Sequence, residues 1–193
     1  MQKVILASGS AQRKNLFSIL NIPFSVIPAD VDEKLIRDND LKIQAEMIAR
    51  AKAEKIASQN AGIVIAADTF VVLDKQVLEK PVDLEEARAM LRMQSDREVV
   101  VYTGFCYLDG ENKIDFSTTS IINMRLRKIS DKEIDAYVEK FPVTSWSAAF
   151  SPAYPYGATL ISEISGSFTG FTHGLPLDML IPLLRKSGFE VLP

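Results

Sequence analysis

One uninterrupted apolar stretch near the middle of the chain constrains the fold most strongly. Residues 62–67 read Gly-Ile-Val-Ile-Ala-Ala and contain no polar side chain. A strand without polar alternation is covered on both faces, as in a sheet with helices on each side. We expect this strand to end at Asp68 and a hairpin to follow around the turn at residues 74–76.

Helical and strand patterns alternate through the rest of the chain. Apolar runs predict further strands over residues 4–7, 22–27, 99–108, 114–126 and 158–164. Apolar stripes and capping residues, including Ser130 with Glu133, predict helices over residues 11–20, 41–59, 83–94, 130–140 and 177–186. An ordered loop is expected over residues 141–156 and a glycine-containing loop over residues 166–174. This mixture predicts an α/β fold with a mixed sheet.

The composition limits the classes of protein to which the chain can belong. With 193 residues and 47% hydrophobic content, it suits one domain with a buried core. A net charge of −3 lacks the basic excess that a nucleic acid polymer requires. The opening residues turn polar at Ser8, too early for a signal peptide, and no apolar run is long enough to span a bilayer. We therefore expect a cytoplasmic protein that binds neither nucleic acid polymers nor membranes.

The segment Ser8-Gly9-Ser10 lies between a predicted strand and a predicted helix. It offers backbone N–H groups, two hydroxyls and the positive end of a helix dipole, and Arg13 follows one turn later. These groups together can bind a phosphate. The alternative is a glycine turn in which Ser10 is an ordinary helix N-cap without a ligand.

Two acidic residues are candidates for chemistry. Asp68 follows the apolar strand, so its carboxylate would be partly desolvated and still reachable from the sheet edge. It could hold a divalent metal or take a proton from an attacking water, or it could be a turn aspartate bonded to its own backbone. Glu33 follows Asp32 in a turn and is either a solvated capping residue or a metal ligand.

Lys52 and Lys80 read either as surface lysines or as cations that, with Arg13, neutralise a triphosphate. His173 is the only histidine and reads as a loop residue bonded to backbone, whereas Cys106, the only cysteine, lies in an apolar run and reads as a buried thiol. The aromatic residues of the 141–156 loop either stack on a base or pack the loop; they include Trp146, Phe150, Tyr154 and Tyr156.

A series of short motifs runs through the chain in a fixed order. They are Leu6 to Arg13, Val31-Asp32-Glu33, Ala51-Lys52-Ala53, Ala67-Asp68-Thr69, Lys80-Pro81, Tyr102-Thr103-Gly104, Thr118-Thr119, Glu133-Ile134 with Tyr137, Gly166-Ser167 and Gly174-Leu175-Pro176. In this order and at these intervals the chain resembles the Maf family over essentially its whole length.

The resemblance implies a single Maf-like domain over residues 1–193 with an inosine-triphosphatase-like fold. That fold is a mixed elongated sheet flanked by helices, in two lobes with a central cleft. The implied activity is hydrolysis of a nucleoside triphosphate between the α and β phosphates, with Mg²⁺, Mn²⁺ or Co²⁺ as cofactor. A homodimer and a link to septum formation are implied at the level of the family.

The resemblance also implies residue roles. Asp68 is the catalytic acid, as base or metal ligand, and Glu33 binds metal or substrate. The remaining implied substrate-binding residues are Ser8, Ser10, Arg13, Lys52, Thr69 and Lys80.

Two positions depart from the family pattern. Gln12 replaces one of two cations, and the loss of a charge-assisted phosphate contact costs roughly 1.5 to 3 kcal/mol unless it is replaced. Ser147 stands where one branch of the family has a lysine. The absence of that lysine, together with the C-terminal Lys186-Ser187-Gly188, favours 7-methyl-GTP over dTTP and UTP as substrate. Two alternatives follow: a nucleotide-binding regulator of cell division with weak catalysis, and a protein-interaction module that uses the aromatic 141–156 loop.

Overall fold

A seven-stranded mixed sheet forms the centre of the computed structural model, which describes residues 2–191. The strands are β1 (Val4–Leu6), β2 (Phe24–Val26), β3 (Ile63–Leu73), β4 (Gln76–Val77), β5 (Glu98–Asp109), β6 (Ile114–Leu126) and β7 (Ile161–Ser165). They follow the order β2-β1-β3-β5-β6-β7, and β4 pairs with β3. β1 is parallel to β2 and β3, whereas the remaining pairs are antiparallel. The predicted mixed α/β sheet is confirmed.

Seven helices accompany the sheet within the described residues. They are α1 (Ala11–Ser18), α2 (Leu41–Ala57), α3 (Leu84–Gln94), α4 (Asp131–Lys140), α5 (Pro155–Ala158), α6 (Phe168–Thr172) and α7 (Leu177–Lys186). The crossovers between the parallel strands carry α1 and α2, because parallel neighbours cannot be joined by a tight turn. The predicted capping box at Ser130 and Glu133 is present at the start of α4. None of these helices is both long and apolar enough to cross a membrane.

Both faces of β3 are buried, as the unbroken apolar run predicts. Ile63, Ile65 and Ala67 point to the face covered by α1 and α7. Val64 and Ala66 point to the opposite face, where they pack against α2. Successive side chains of a strand face opposite sides, so covering both sides removes the need for polar alternation. A third cluster, beneath α3, α4 and the 141–156 loop, fills the other end of the molecule.

The prediction that the central strand ends at Asp68 is wrong. β3 continues to Leu73 and stays paired with β5 as far as Val72, opposite Val100. What ends near Asp68 is the neighbour on the other side, since β1 pairs with β3 only up to Ile65. The change from apolar to polar residues therefore marks the loss of a neighbouring strand and not the end of β3.

Two smaller boundaries also differ from the sequence prediction. The 166–174 loop contains α6, whose N-cap Ser167 accepts a hydrogen bond from the Gly170 backbone N–H. The strand expected over residues 158–164 begins at Ile161, because the residues before it form the helical turn α5. Both differences arise from short helices of about one turn, which are too short for apolar periodicity to reveal.

Candidate active site

The candidate site opens along one edge of β3, in a gap between two of its neighbours. The last hydrogen bond to the β1 side joins the Ala7 N–H to the Ile65 carbonyl at 2.7 Å, and β4 begins to pair only at Val72. Residues 66–70 of β3 therefore have β5 as their only strand neighbour among the described residues. Because side chains alternate, Asp68 and Thr69 lie on opposite faces of the sheet at this open edge.

The segment that follows β1 places two hydroxyls at the gap. The buried Ser8 Oγ accepts hydrogen bonds from the Ser10 N–H at 3.3 Å and from Arg13 Nη1 at 3.1 Å, which leaves its own proton free. Ser10 is the N-cap of α1 and accepts from the Arg13 N–H at 3.4 Å. The Ser10 hydroxyl donates to Gln12 Oε1 at 3.1 Å. The predicted N-cap is confirmed, and phosphate binding stays a prediction.

Arg13 joins this segment to β3 and to the loop before α7. Its Nε donates to the Gly174 carbonyl at 2.8 Å, and its Nη2 donates to Thr69 Oγ1 at 3.1 Å. Burial lowers the pKa of the Arg13 guanidinium from its ordinary value, and the charges of Asp68 and Glu33 act against that shift. With the bond to Ser8, three of its five N–H donors are used and two stay available for a ligand.

Gly174 makes the close approach of Arg13 possible. Its φ of +65° is a left-handed conformation that favours glycine, and a Cβ there would lie 2.7 Å from Thr69 Oγ1 and 3.1 Å from Arg13 Nη2. By contrast, a Cβ at Gly9 would meet only Pro28, at 3.9 Å. The glycine that sequence analysis placed in the phosphate segment is not sterically required by the fold, whereas Gly174 is.

Asp68 lies on the α2 face of β3, in contact with a buried lysine. Lys52 Nζ lies 2.7 Å from Asp68 Oδ1 and 2.7 Å from Glu33 Oε1, so the ammonium bridges two carboxylates. Asp68 and Lys52 are 7% and 8% exposed, whereas the side chain of Glu33 is 49% exposed. The alternatives of a surface lysine and a turn aspartate are wrong for Lys52 and Asp68, because both are buried and paired.

The height of Lys52 above the sheet is set by Gly104. In the β3–β5 register Gly104 lies opposite Asp68, and a Cβ there would lie 2.0 Å from the Ala45 carbonyl oxygen of α2. The helix therefore packs directly on the strand backbone. Thr119, opposite Gly104 on β6, donates to the Lys42 carbonyl at 2.7 Å and holds the same end of α2.

Thr103 is a site residue whose contacts sequence analysis did not predict. It is fully buried opposite Thr69, with their Oγ1 atoms 3.3 Å apart, and it donates to the Gly170 carbonyl at 2.9 Å. The hydrogen-bonded series of Arg13, Thr69 and Thr103 thus ties α1 to α6 across two strands. Finding it from sequence would require the register between β3 and β5.

Lys80 is the one predicted site residue that the structure does not join to the others. It is exposed in the connection after β4, and no hydrogen bond or ion pair of its side chain occurs within the described residues. The preceding Glu79 carbonyl accepts from the Ala148 N–H at 3.0 Å, which fixes this connection to the turn that begins at Ser147. A phosphate contact by Lys80 stays a prediction.

The aromatic residues of the 141–156 loop pack against one another. The rings of Trp146 and Tyr154 are 4.7 Å apart, and those of Phe141 and Tyr156 are stacked at 6.2 Å. Trp146 and Phe150 are buried. The packing interpretation is confirmed for Trp146 and Phe150. The aromatic residues of this loop therefore give little support to a protein-interaction module.

The lone cysteine and the lone histidine also have structural surroundings. Cys106 is buried, as predicted, and burial raises the pKa of its thiol to about 12. The ring Nδ1 of His173 lies 2.7 Å from Thr172 Oγ1 instead of the expected backbone partner. Burial lowers the pKa of His173, so the imidazole is neutral near pH 7.

The acidic residues fit a divalent cation that is shared with a phosphate ligand. No group of three or more His, Cys, Asp or Glu side chains suited to a metal occurs in the part of the chain that the structure describes. Mg²⁺, however, is commonly held by one or two carboxylates together with phosphate oxygens and water. The pair formed by Asp68 and Glu33 supplies such a donor set.

Fold and site together define an α/β protein in which charged and hydroxyl side chains gather at an open strand edge. The chain belongs to the family described as Maf-like protein, whose profile matches residues 3–187. A dTTP/UTP pyrophosphatase of Ruminiclostridium cellulolyticum is 31% identical over 194 residues, covering 100% of both chains. A dTTP/UTP pyrophosphatase of Clostridioides difficile is 34% identical and covers 95% of this chain and 94% of its own. The predicted family is confirmed.

Solved structures support the fold. The Ham1 protein of Staphylococcus aureus matches with a TM-score of 0.54 at 14% identity, covering 96% of this chain and 100% of that protein. A HAM1 protein of Coxiella burnetii matches with a TM-score of 0.50 at 16% identity and the same coverage. At such low identity the likeness concerns the fold alone, and it confirms the predicted inosine-triphosphatase-like class.

Proposed function

We propose that this protein is a nucleoside-triphosphate pyrophosphatase that releases a nucleoside monophosphate and pyrophosphate. The observation that carries the proposal is a lysine that bridges the buried Asp68 and the half-exposed Glu33, with an arginine and two serine hydroxyls at the same open edge of β3. Family membership and relatives named as pyrophosphatases support the same enzyme class.

The phosphate chain would lie along the gap beside β3. Ser8 has a free hydroxyl proton, Arg13 has two unused N–H donors, and α1 presents its positive N-terminal end. Ser10 and Thr69 border the same gap and would add hydroxyl contacts, and Lys80 would approach from its exposed connection. These groups position and neutralise the phosphates, which is the main requirement of phosphoryl chemistry.

The reaction would use Asp68 at the α-phosphorus. A water oxygen forms the new bond to that phosphorus, and the bond to the oxygen shared with the β-phosphate breaks as pyrophosphate leaves. The water proton passes to the Asp68 carboxylate as base or, if Asp68 serves as a ligand, to solvent. In the nucleotide-free protein the Lys52 ammonium lies 2.7 Å from Asp68 Oδ1 and balances its charge.

Asp68 and Glu33 would hold the divalent cation. Bound there with phosphate oxygens, it would neutralise phosphate charge and polarise the reacting oxygen. Every other contact in this proposal is supplied by side chains of the chain itself.

For the base, we propose dTTP and UTP as substrates. Relatives that match 95% or more of this chain are named for these two nucleotides. The presence of Ser147 in place of a lysine favours 7-methyl-GTP instead. Nucleotide binding without efficient turnover is the second candidate. It is favoured by Gln12, which stands where the family has a cation and whose Oε1 accepts a hydrogen bond from the Ser10 hydroxyl.

The test is pyrophosphate release from dTTP, UTP, CTP, GTP, ITP and 7-methyl-GTP with Mg²⁺ or Mn²⁺. We expect release from dTTP and UTP, and a loss of about 10²-fold or more in Asp68→Asn. Lys52 keeps Glu33 as a partner in that variant, so it should fold. Asp131→Asn removes an exposed aspartate from α4 and serves as the charge-matched control.

Nucleotide binding by the wild type without any pyrophosphate release would contradict the enzyme and favour the regulator. Release confined to 7-methyl-GTP would keep the enzyme class and overturn the proposed base.

A further inference from the structure

The bridge made by Lys52 places a positive charge between the two carboxylates that would hold a divalent cation. Its ammonium takes one oxygen of each carboxylate, Asp68 Oδ1 and Glu33 Oε1, both at 2.7 Å. A magnesium ion sits about 2.0 to 2.1 Å from its oxygen ligands. An ammonium and a divalent ion at the same carboxylate pair would lie close together, so their charges would repel and each would weaken the binding of the other.

The lysine can leave without any movement of its helix. α2 is fixed against β5 at Gly104 and against β6 at Thr119, so its backbone has no room to shift toward the sheet. The ammonium, however, is carried on a flexible four-carbon stem. A triphosphate in the gap beside β3 would offer it new anionic oxygens close to its present partners.

We propose that Lys52 is an exchangeable internal cation. In the nucleotide-free protein it neutralises Asp68 and Glu33, and it moves to the phosphate chain when the nucleotide and a divalent cation enter together. The inference rests on the proposed function for the identity of the ligand. It assigns to Lys52 a positioning role beyond a phosphate contact, since the lysine makes cation binding depend on nucleotide.

The same exchange explains how the buried Asp68 and the half-exposed Glu33 can lie together before any divalent cation is bound. Removing a buried positive charge from between two carboxylates leaves them without compensation. Lys52 supplies that compensation in the resting protein. When Lys52 leaves, the pair becomes a binding site of charge −2, with higher affinity for a divalent cation.

The test is Mn²⁺ binding to the nucleotide-free protein. Binding is measured from the electron paramagnetic resonance signal of the Mn²⁺ that remains free. Lys52→Met should bind Mn²⁺ at least about fivefold more tightly than wild type, in the usual range of coupling between sites. Lys42→Met removes an exposed lysine from the same helix and should bind as wild type does. Glu33→Gln in the Lys52→Met background should abolish the gain.

An unchanged affinity in folded Lys52→Met would overturn the exchange. If that variant does not fold, the wild type decides by its melting temperature with Mn²⁺ and with a dTTP analogue whose α–β bridge is a methylene group. We expect a negligible rise with Mn²⁺ alone and a larger rise with both ligands than with the analogue alone. A large rise with Mn²⁺ alone would overturn the proposal.

Failure of the exchange and failure of the proposed function give different results. Pyrophosphate release by wild type, together with no Mn²⁺ gain in Lys52→Met, removes the exchange only. A Mn²⁺ gain without any pyrophosphate release leaves the exchange in place and removes the proposed enzyme.

Discussion

At the scale of single residues, the site depends on positions that carry no charge. Gly174 lets Arg13 reach Thr69 and Ser8, because any side chain at Gly174 would meet the guanidinium or the threonine hydroxyl. The arginine in turn orients the Ser8 hydroxyl. The position of the Arg13 guanidinium therefore depends on Gly174, which lies far from the phosphate segment in sequence.

Gly174→Ala should lower the free energy of unfolding by about 2 kcal/mol, as expected of overpacking at a left-handed position. It should also weaken nucleotide binding, because Arg13 must move. Urea unfolding and nucleotide titration measure the two effects. Gly9→Ala, whose Cβ has room, is the matched control and should change stability by no more than about 0.5 kcal/mol. Equal stability of the two variants would refute the steric argument.

Sequence reasoning found the charged residues of the site but not the residues that hold them. Asp68, Lys52 and Arg13 are recognisable because their chemical types suit phosphate and metal ligands. Thr103 and Gly104 belong to one of the ordered motifs, but the motif gives them no role, since their importance comes from lying opposite Thr69 and Asp68 in the β3–β5 pairing. Register depends on contacts between distant segments, which a local pattern does not contain.

At the scale of elements, the packing of α2 on β5 decides where the carboxylate pair lies. The helix rests on the bare backbone of Gly104, and this contact brings Lys52 level with Asp68. The sequence predicted both elements within a few residues, from an apolar stripe in α2 and an apolar run in β5. It predicted the end of β3 wrongly, because Asp68 is polar for reasons of the site and not of the strand.

Gly104→Ala should be severely destabilising, by about 3 kcal/mol, because its methyl group would overlap the Ala45 carbonyl of α2. Any folded fraction should lose activity as Lys52 is displaced from Asp68. Gly110→Ala is the control, since nothing lies within 4 Å of a Cβ there. Thermal melting compares the two variants, and a Gly104→Ala protein as stable as Gly110→Ala would show that α2 does not depend on this contact.

At the scale of the whole molecule, Asp109 joins segments near both ends of the chain to the turn between β5 and β6. It accepts hydrogen bonds from Gln2 Nε2 at 2.7 Å, from Ser187 Oγ at 2.6 Å and from Asn112. Burial by itself would raise the pKa of Asp109, but the hydrogen bonds from Ser187, Asn112 and Gln2 outweigh it and lower the pKa below the usual value. The ionised form is therefore the one that stabilises the fold.

Ser187→Ala should lower the free energy of unfolding at pH 7 by about 1.5 to 3 kcal/mol, the usual range for a hydrogen bond to a charged group. Because the folded pKa of Asp109 lies below the unfolded one, its contribution is present at neutral pH. It is lost as the pH falls through the folded value. The gap between wild type and variant should thus shrink from pH 7 to pH 3 in urea unfolding.

Ser18→Ala is the control for this pH dependence, because its exposed hydroxyl donates to the neutral carbonyl of Asn15. Its difference from wild type should be the same at both pH values. A pH-independent difference for Ser187→Ala as well would mean that Asp109 does not act through its charge.

The gap between β1 and β4 also bears on solubility. The backbone groups of residues 63, 65 and 71 form hydrogen bonds across that edge of β3. Because backbone groups of alternate residues face the same edge of a strand, Ala67 and Thr69 direct their amide and carbonyl groups into the opening. Long bare strand edges invite pairing with other chains. This one is five residues long and is blocked at each end by a strand of the same molecule. An extended polypeptide therefore finds no continuous edge on which to grow.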